Sequence, residues 1–159
     1  MKTRRRALML VILAALASAC YSRPMLVERA EAKRLLSNLQ AALAETVEIT
    51  NGPSAQGTPG FAQAAQTVAA TSGDLRPVLE ALDYSDALAI LGTFDARFRD
   101  YRSLNAAVEA EARPAKRDDG DADVLAETLG RRRMAAAECI DQLKALDESL
   151  ARHEVTPTR

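Results

Sequence analysis

The stretch 85-SDALAILGTFDARFRDYRSLNAAVEAEA-112 decides the fold prediction. Its core positions recur at alternating intervals of four and three residues, which places them on one face of an α-helix. This face consists of Ala87, Leu91, Phe94, Phe98, Tyr101, Asn105, Val108 and Ala112. A seven-residue repeat of this kind is typical of helices that pack side by side with a left-handed twist. The segment therefore predicts one long helix of a bundle.

Two further segments show the same spacing. The first helix is predicted from about Pro24 to Thr50, with the core positions Met25, Arg29, Ala32, Leu36, Leu39, Leu43, Thr46 and Thr50. The last helix is predicted from about Asp123 to His153, with Leu125, Leu129, Arg132, Ala136, Cys139, Leu143, Leu146, Leu150 and His153 in one register.

A less regular helical region is expected from about Phe61 to Asp83. Ser72-Gly73-Asp74 interrupts its pattern, and Asp74 is able to cap a restarted helix. We therefore expect a kink or a short break at residues 72–74.

Four helical segments predict an all-α fold, an antiparallel up-down four-helix bundle over residues 24–153. Turn-forming and helix-breaking residues fill the linkers 51–60 and 113–122. The composition agrees, because 48% of the residues are hydrophobic but only 4% are aromatic, which favours packed helices over sheets. The alternative is a three-helix arrangement with residues 61–83 as an irregular arm. The tail 154–159 is predicted to be disordered.

The N-terminus has the organisation of an export signal. Lys2 to Arg6 form a positive region, and the apolar stretch Ala7 to Ala17 is too short to span a bilayer. The segment Leu16-Ala17-Ser18-Ala19-Cys20 resembles the lipobox of bacterial lipoproteins. This resemblance implies a signal peptide over residues 1–19, cleavage between Ala19 and Cys20, acylation of Cys20 and a short tether over residues 20–23. An ordinary secretory signal is the alternative, since Ala17 and Ala19 also satisfy the small-residue cleavage rule.

The lipobox resemblance also implies a location. A lipid-anchored chain would face the periplasm, and Tyr21 after the cysteine is not the aspartate that retains enterobacterial lipoproteins in the inner membrane. The outer membrane is therefore favoured over the inner membrane.

Four of the 21 basic residues lie in the signal, so the mature chain carries 17 basic and 22 acidic residues, a net charge of −5. This balance does not support nucleic-acid binding, which usually needs a concentrated basic face.

Two sets of polar residues are candidates for contacts with a ligand or a partner. Arg131, Arg132 and Arg133 form the one basic run after the signal, and they could bind an anion or an acidic polymer. The alternative is a solvated face with Arg132 paired to a buried carboxylate. Asn105 on the core face either recognises a ligand or fixes the helix register.

Met25 and His153 occupy core positions at the start of the first helix and the end of the last. This placement resembles the soluble four-helix cytochrome b proteins, which implies haem b held by these two side chains. The alternative is that both are simply packed or solvated.

Acids at alternate positions from Asp119 to Asp123 suggest a calcium loop, but Val124 and Gly130 stand where such a loop needs glycine and glutamate. We therefore expect a solvated linker and no metal site.

Catalysis is not predicted. The chain has one histidine, and no spacing of carboxylates selects an acid and a base. Cys139, which has no partner once Cys20 is acylated, is expected to be a buried thiol, with an intermolecular bridge as the alternative.

The segment Leu91 to Asn105, with its run of Phe98 and Tyr101, is similar to the periplasmic four-helix sensor modules of bacterial chemoreceptors. This resemblance implies a four-helix fold and, as one alternative, ligand binding. Two functions follow as hypotheses. One is a lipid-anchored, non-catalytic interaction module that contacts an envelope protein. The other is a periplasmic bundle that binds haem or a small ligand in a cavity lined by Phe94, Phe98 and Tyr101.

Overall fold

A computed structural model describes the backbone of residues 2–51, 60–112 and 121–155, and the side chains of 25–51, 60–112 and 122–154. The backbone forms four helices, α1 (Lys2–Asn51), α2 (Phe61–Ala81), α3 (Ser85–Glu111) and α4 (Asp121–Val155). These ranges contain no strand. The predicted all-α four-helix fold is confirmed, and the three-helix alternative is wrong because α2 is a full member of the bundle.

Contacts between the helices define their directions. Lys33 in α1 pairs with Glu154 at the end of α4, whereas Arg132 early in α4 binds the backbone of Thr50 at the end of α1. The two helices are therefore antiparallel. The bundle has a proximal end, with the start of α3 and the end of α4, and a distal end, with the end of α1 and the start of α2.

The core follows the seven-residue pattern closely. In α3, seven of the eight predicted positions are buried, from Ala87 to Val108, and Ala112 is half-buried. In α4, six of the nine predicted positions are buried, whereas Leu125, Leu129 and His153 are half-buried; the six are Arg132, Ala136, Cys139, Leu143, Leu146 and Leu150. Burying an aliphatic side chain contributes about 1.5–3 kcal/mol. The aligned apolar faces are therefore the main source of stability.

The structure differs from the prediction in α2. This helix runs without a break through Ser72, Gly73 and Asp74. Ser72 is buried and donates a hydrogen bond to Asp95 Oδ1 of α3 at 2.5 Å, and Arg76 Nη2 binds Asp95 Oδ2 at 2.7 Å. These bonds and the burial of Leu75 outweigh the local preference of Ser-Gly-Asp for a turn.

Helix boundaries also differ. The helical backbone of α1 begins at Lys2 rather than near Pro24, since the Ala- and Leu-rich segment before it has high helix propensity. The end of α4 at Val155 places the first two residues of the predicted disordered tail in the helix. No helix in the described ranges has a stretch long and apolar enough to cross a membrane.

Candidate functional site

A buried polar network lies near the distal end of the bundle. At its centre is Arg132, of which only 4% is exposed. Its Nη1 donates to Asn105 Oδ1 at 2.9 Å, and its Nη2 donates to the carbonyl of Thr50 at 2.8 Å. The last carbonyls of a helix lack partners within the helix, so the guanidinium caps the C-terminal end of α1 and complements its dipole. We call Thr50, Tyr101, Asn105, Glu109 and Arg132 the distal network.

Tyr101 extends this network into the core. The Tyr101 hydroxyl forms a 2.7 Å hydrogen bond with Thr50 Oγ1 and donates to the carbonyl of Thr46 at 3.5 Å, while Thr50 Oγ1 donates to the carbonyl of Val47. Burial raises the pKa of Tyr101, and its ring meets Phe61 edge to face with centroids 6.0 Å apart. The hydroxyl therefore acts as a fixed, neutral cross-link between α1 and α3.

The three arginines of the predicted run, Arg131, Arg132 and Arg133, lie in different environments. Arg132 is buried as predicted, but it binds an amide and a backbone carbonyl, so the predicted pairing with a carboxylate is wrong. Burial lowers the pKa of Arg132, while the charge of Glu109 opposes that shift. Arg131 lies beside a groove between α3 and α4, and Arg133 is exposed. The three side chains therefore do not form one anion site.

Asn105 joins two charged groups. It is 3% exposed, and its Nδ2 donates to Glu109 Oε1 at 2.9 Å while its Oδ1 accepts from Arg132. The amide thus relays contact between a carboxylate and a guanidinium that do not touch directly. This arrangement fixes the pairing of α3 with α4, in line with the register role expected for a buried polar residue.

A second cluster, which was not predicted from the sequence, lies at the proximal end. Asp86 in the first turn of α3 accepts hydrogen bonds from Ser149 Oγ and His153 Nε2, both at 2.7 Å. The hydrogen bond from Ser149, then that from His153, holds the pKa of Asp86 well below its usual range. His153 also stacks on Tyr84, with ring centroids 3.9 Å apart. We call Tyr84, Asp86, Ser149 and His153 the proximal cluster.

The proximal cluster bears on the haem hypothesis. His153 Nε2, which would ligate an iron, is already bonded to Asp86. Met25 is half-buried on α1. A haem iron bound through Nε2 would have to displace the bond to Asp86. Among the described residues, no group of three or more His, Cys, Asp or Glu side chains is arranged to hold a metal ion.

Cys139 is fully buried in the core of α4 and is a free thiol. Burial raises its pKa to about 12, so the thiolate is scarcely populated at neutral pH. The buried position agrees with the predicted role as a small apolar residue.

Two further grooves, besides the one between α3 and α4, lie on the described surface near the distal half of the bundle. The α1/α4 groove has a volume of about 490 Å³, with apolar walls from Leu43, Ala44, Val47, Ile140 and Leu143. The α2/α3 groove has a volume of about 430 Å³ and is lined by Phe61, Ala62, Ala65, Arg99, Arg102, Ser103, Asn105, Ala106 and Glu109. The cavity expected beside Phe94, Phe98 and Tyr101 is instead filled by the rings, all of which are buried.

Some predicted sites fall outside the described residues. They include the side chains of Ala19 and Cys20, the proposed cleavage and acylation position, and most of the acidic linker before Asp123. Comparison with known proteins found no matching family model, curated protein or solved structure.

Proposed function

We propose that this chain is a bacterial envelope lipoprotein, anchored through acylated Cys20, whose bundle is a non-catalytic interaction module facing the periplasm. The lipobox-like segment before Cys20 supports the anchor. The α1/α4 groove carries the interaction role, because it is an apolar surface left open between two neighbouring helices.

The chemistry of the groove supports a helical occupant. Ile140 is 38% exposed although it lies among apolar neighbours, and α1 and α4 pack more sparsely than the other neighbouring helix pairs. Polar side chains of Gln40, Glu48, Asn51 and Lys144 edge the groove. An apolar floor with polar edges is the arrangement that receives an amphipathic helix face.

The occupant that we propose for this surface is a second copy of the chain. Glu48 lies on the α1 edge and Lys144 on the α4 edge of the same groove. A two-fold axis along the groove would therefore bring each glutamate to the lysine of the other copy. The groove is lined by α1 only from Gln40 to Asn51. Contact that continued along the whole described length of α1, roughly 40 Å and two helices wide, would cover roughly 800 Å² per copy, about the area of a standard interface.

The proposed anchor favours the same association. Acylation of Cys20 would hold all copies upright on one membrane surface, with parallel bundle axes. Confinement to a surface raises the effective concentration, so a weak contact suffices for pairing. Leu26 and Val27 add exposed apolar surface to the proximal part of α1.

The test uses two differently tagged copies expressed in the same cells. After chemical crosslinking in intact membranes, capture of one tag should recover the other copy, and Ile140→Glu should reduce that recovery at least tenfold, since a charge would enter the apolar interface. Met134→Glu is the matched control. Met134 is a 67% exposed apolar residue of α4 beside the groove between α3 and α4, so its change should leave recovery unaltered.

Charge reversal sharpens the test. Glu48→Lys and Lys144→Glu should each weaken recovery, and the double variant should restore it. Absence of co-recovery for the unaltered chain, or equal loss with Met134→Glu, would overturn pairing through this groove. Recovery of a different envelope protein without the second copy would also contradict it.

A further inference from the structure

The α2/α3 groove combines an apolar floor with unbalanced positive charge. Phe61 and Ala65 of α2 form the floor, and Arg99 and Arg102 of α3, three residues apart on one helix face, line its side. The acidic residue in the lining of the groove is Glu109. Its carboxylate already accepts a hydrogen bond from Asn105 and interacts with the buried charge of Arg132.

Among the described residues, no carboxylate balances the charge of either arginine of the groove. Arg99 Nε reaches only the backbone carbonyl of Asp95, at 3.4 Å, while the carboxylate of Asp95 is held by Ser72 and Arg76. Within the described part of the chain, no ion pair includes Arg99 or Arg102. The mature chain has a net charge of −5, so this local excess of positive charge runs against the overall balance.

From this geometry we infer that the α2/α3 groove binds a small organic anion, a carboxylate attached to an aromatic or aliphatic body. The guanidinium groups of Arg99 and Arg102 bind the carboxylate, and the apolar body packs on Phe61 and Ala65. The volume of about 430 Å³ lies within the range of small-molecule sites.

The position of the groove separates it from the proposed membrane anchor. It lies at the distal end, where α2 begins and α3 approaches its end, whereas α1 begins at the opposite end. The ligand is therefore a small molecule of the surrounding solution rather than a lipid headgroup. The site is also distinct from the α1/α4 groove, so it goes beyond the proposed pairing.

Binding would communicate with the core through one side chain. Asn105 lines the groove and at the same time binds Arg132, which caps α1. An anion in the groove adds negative charge near the buried guanidinium, and this stabilises the distal network. Ligand binding should therefore stabilise the folded bundle, by the usual linkage of binding to folding.

The experiment titrates the purified full-length mature protein with 3-phenylpropionate and follows backbone amide signals by nuclear magnetic resonance. We expect saturable shifts at Ala62, Ala65 and Ala106, with a Kd of about 1 mM or lower. The neutral analogue 3-phenylpropanol should bind at least about tenfold more weakly, because it lacks the charge that the arginines recognise. Inorganic phosphate, which lacks an apolar body, should also bind more weakly.

Variants assign the binding to the groove. Arg102→Gln should raise the Kd about tenfold, as expected for one charge-assisted hydrogen bond at a solvent-facing site. Arg97→Gln is the matched control, since Arg97 lies on α3 but pairs with Glu138 of α4 at 3.3 Å, and it should leave the Kd unchanged. Failure to saturate, equal affinity for the neutral analogue, or equal effects of the two variants would overturn the proposal.

Discussion

Replacement of Arg132 by methionine tests the account of the distal network. The change removes two hydrogen bonds and leaves the carbonyl of Thr50 and Oδ1 of Asn105 without their donor. Each buried acceptor that loses its partner costs about 1–3 kcal/mol. The methionine also relieves the cost of burying a guanidinium, which is several kcal/mol for an isolated ion.

The net effect follows from these opposing contributions. We expect Arg132→Met to lower the free energy of unfolding by about 2 kcal/mol, because the two orphaned acceptors outweigh the recovered desolvation. In urea unfolding followed by circular dichroism, this is a shift of the midpoint by roughly 1 M. Arg131→Met and Arg133→Met are matched controls at exposed positions, and each should change stability by less than about 0.5 kcal/mol.

A double variant tests whether the destabilisation comes from the broken hydrogen bonds of the network or only from the removal of the arginine charge. Asn105→Leu together with Arg132→Met removes both partners, so its destabilisation should be smaller than the sum of the two single effects by about 1 kcal/mol. An Arg132→Met variant as stable as the unaltered chain would show that the distal network does not stabilise the bundle. Equal behaviour of all three arginine variants would show the same.

Three further predictions concern the proximal end, the core and the turn between α2 and α3. Asp86→Asn should destabilise the bundle by about 1 kcal/mol at pH 7, a value reduced for the solvent exposure of the carboxylate. Because folding lowers the pKa of Asp86, the carboxylate stabilises the folded state above about pH 4, and this stabilisation is lost as the pH falls through the folded pKa. In urea unfolding, the difference in stability between Asp86→Asn and the unaltered chain should therefore be smaller at about pH 2 than at pH 7. An equal difference at the two pH values would contradict this. Cys139 should resist a thiol reagent until the protein is unfolded in urea, and rapid reaction of the native protein would contradict its burial. Asp83 has a φ of 56°, so Asp83→Gly should raise stability by about 1 kcal/mol in the same assay, whereas Asp83→Val should lower it; the reverse order would show that the turn is unstrained.

Much of the fold could be predicted because the positions of the core residues follow from the local sequence pattern of each helix. The positions from Ala87 to Val108 recur every seven residues, so they lie on one face of α3, and all of them are buried against the other helices. The break predicted at Gly73 failed because Ser72 finds its partner on another helix, Asp95, which no local pattern indicates.

The distal network and the proximal cluster were less predictable, because their polar side chains also find their partners on other helices. The burial of Arg132 follows from its register, but its bond to Thr50 joins residues far apart in the chain and depends on where α1 ends. Asp86, Ser149 and His153 meet only because α3 and α4 are antiparallel and offset by a particular amount. The spacing of Ser149 and His153, one helical turn apart near the end of α4, was the local indication that these two act together.

The membrane anchor is the claim on which the proposed function depends most. It is tested most directly by mass spectrometry of the N-terminal peptide of the protein purified from bacterial membranes, with Cys20→Ser as the control. We predict a peptide that begins at Cys20 and carries acyl chains, and a control that stays unprocessed and unacylated. A peptide that begins at Cys20 with a free thiol, or at any other residue without lipid, would contradict the account.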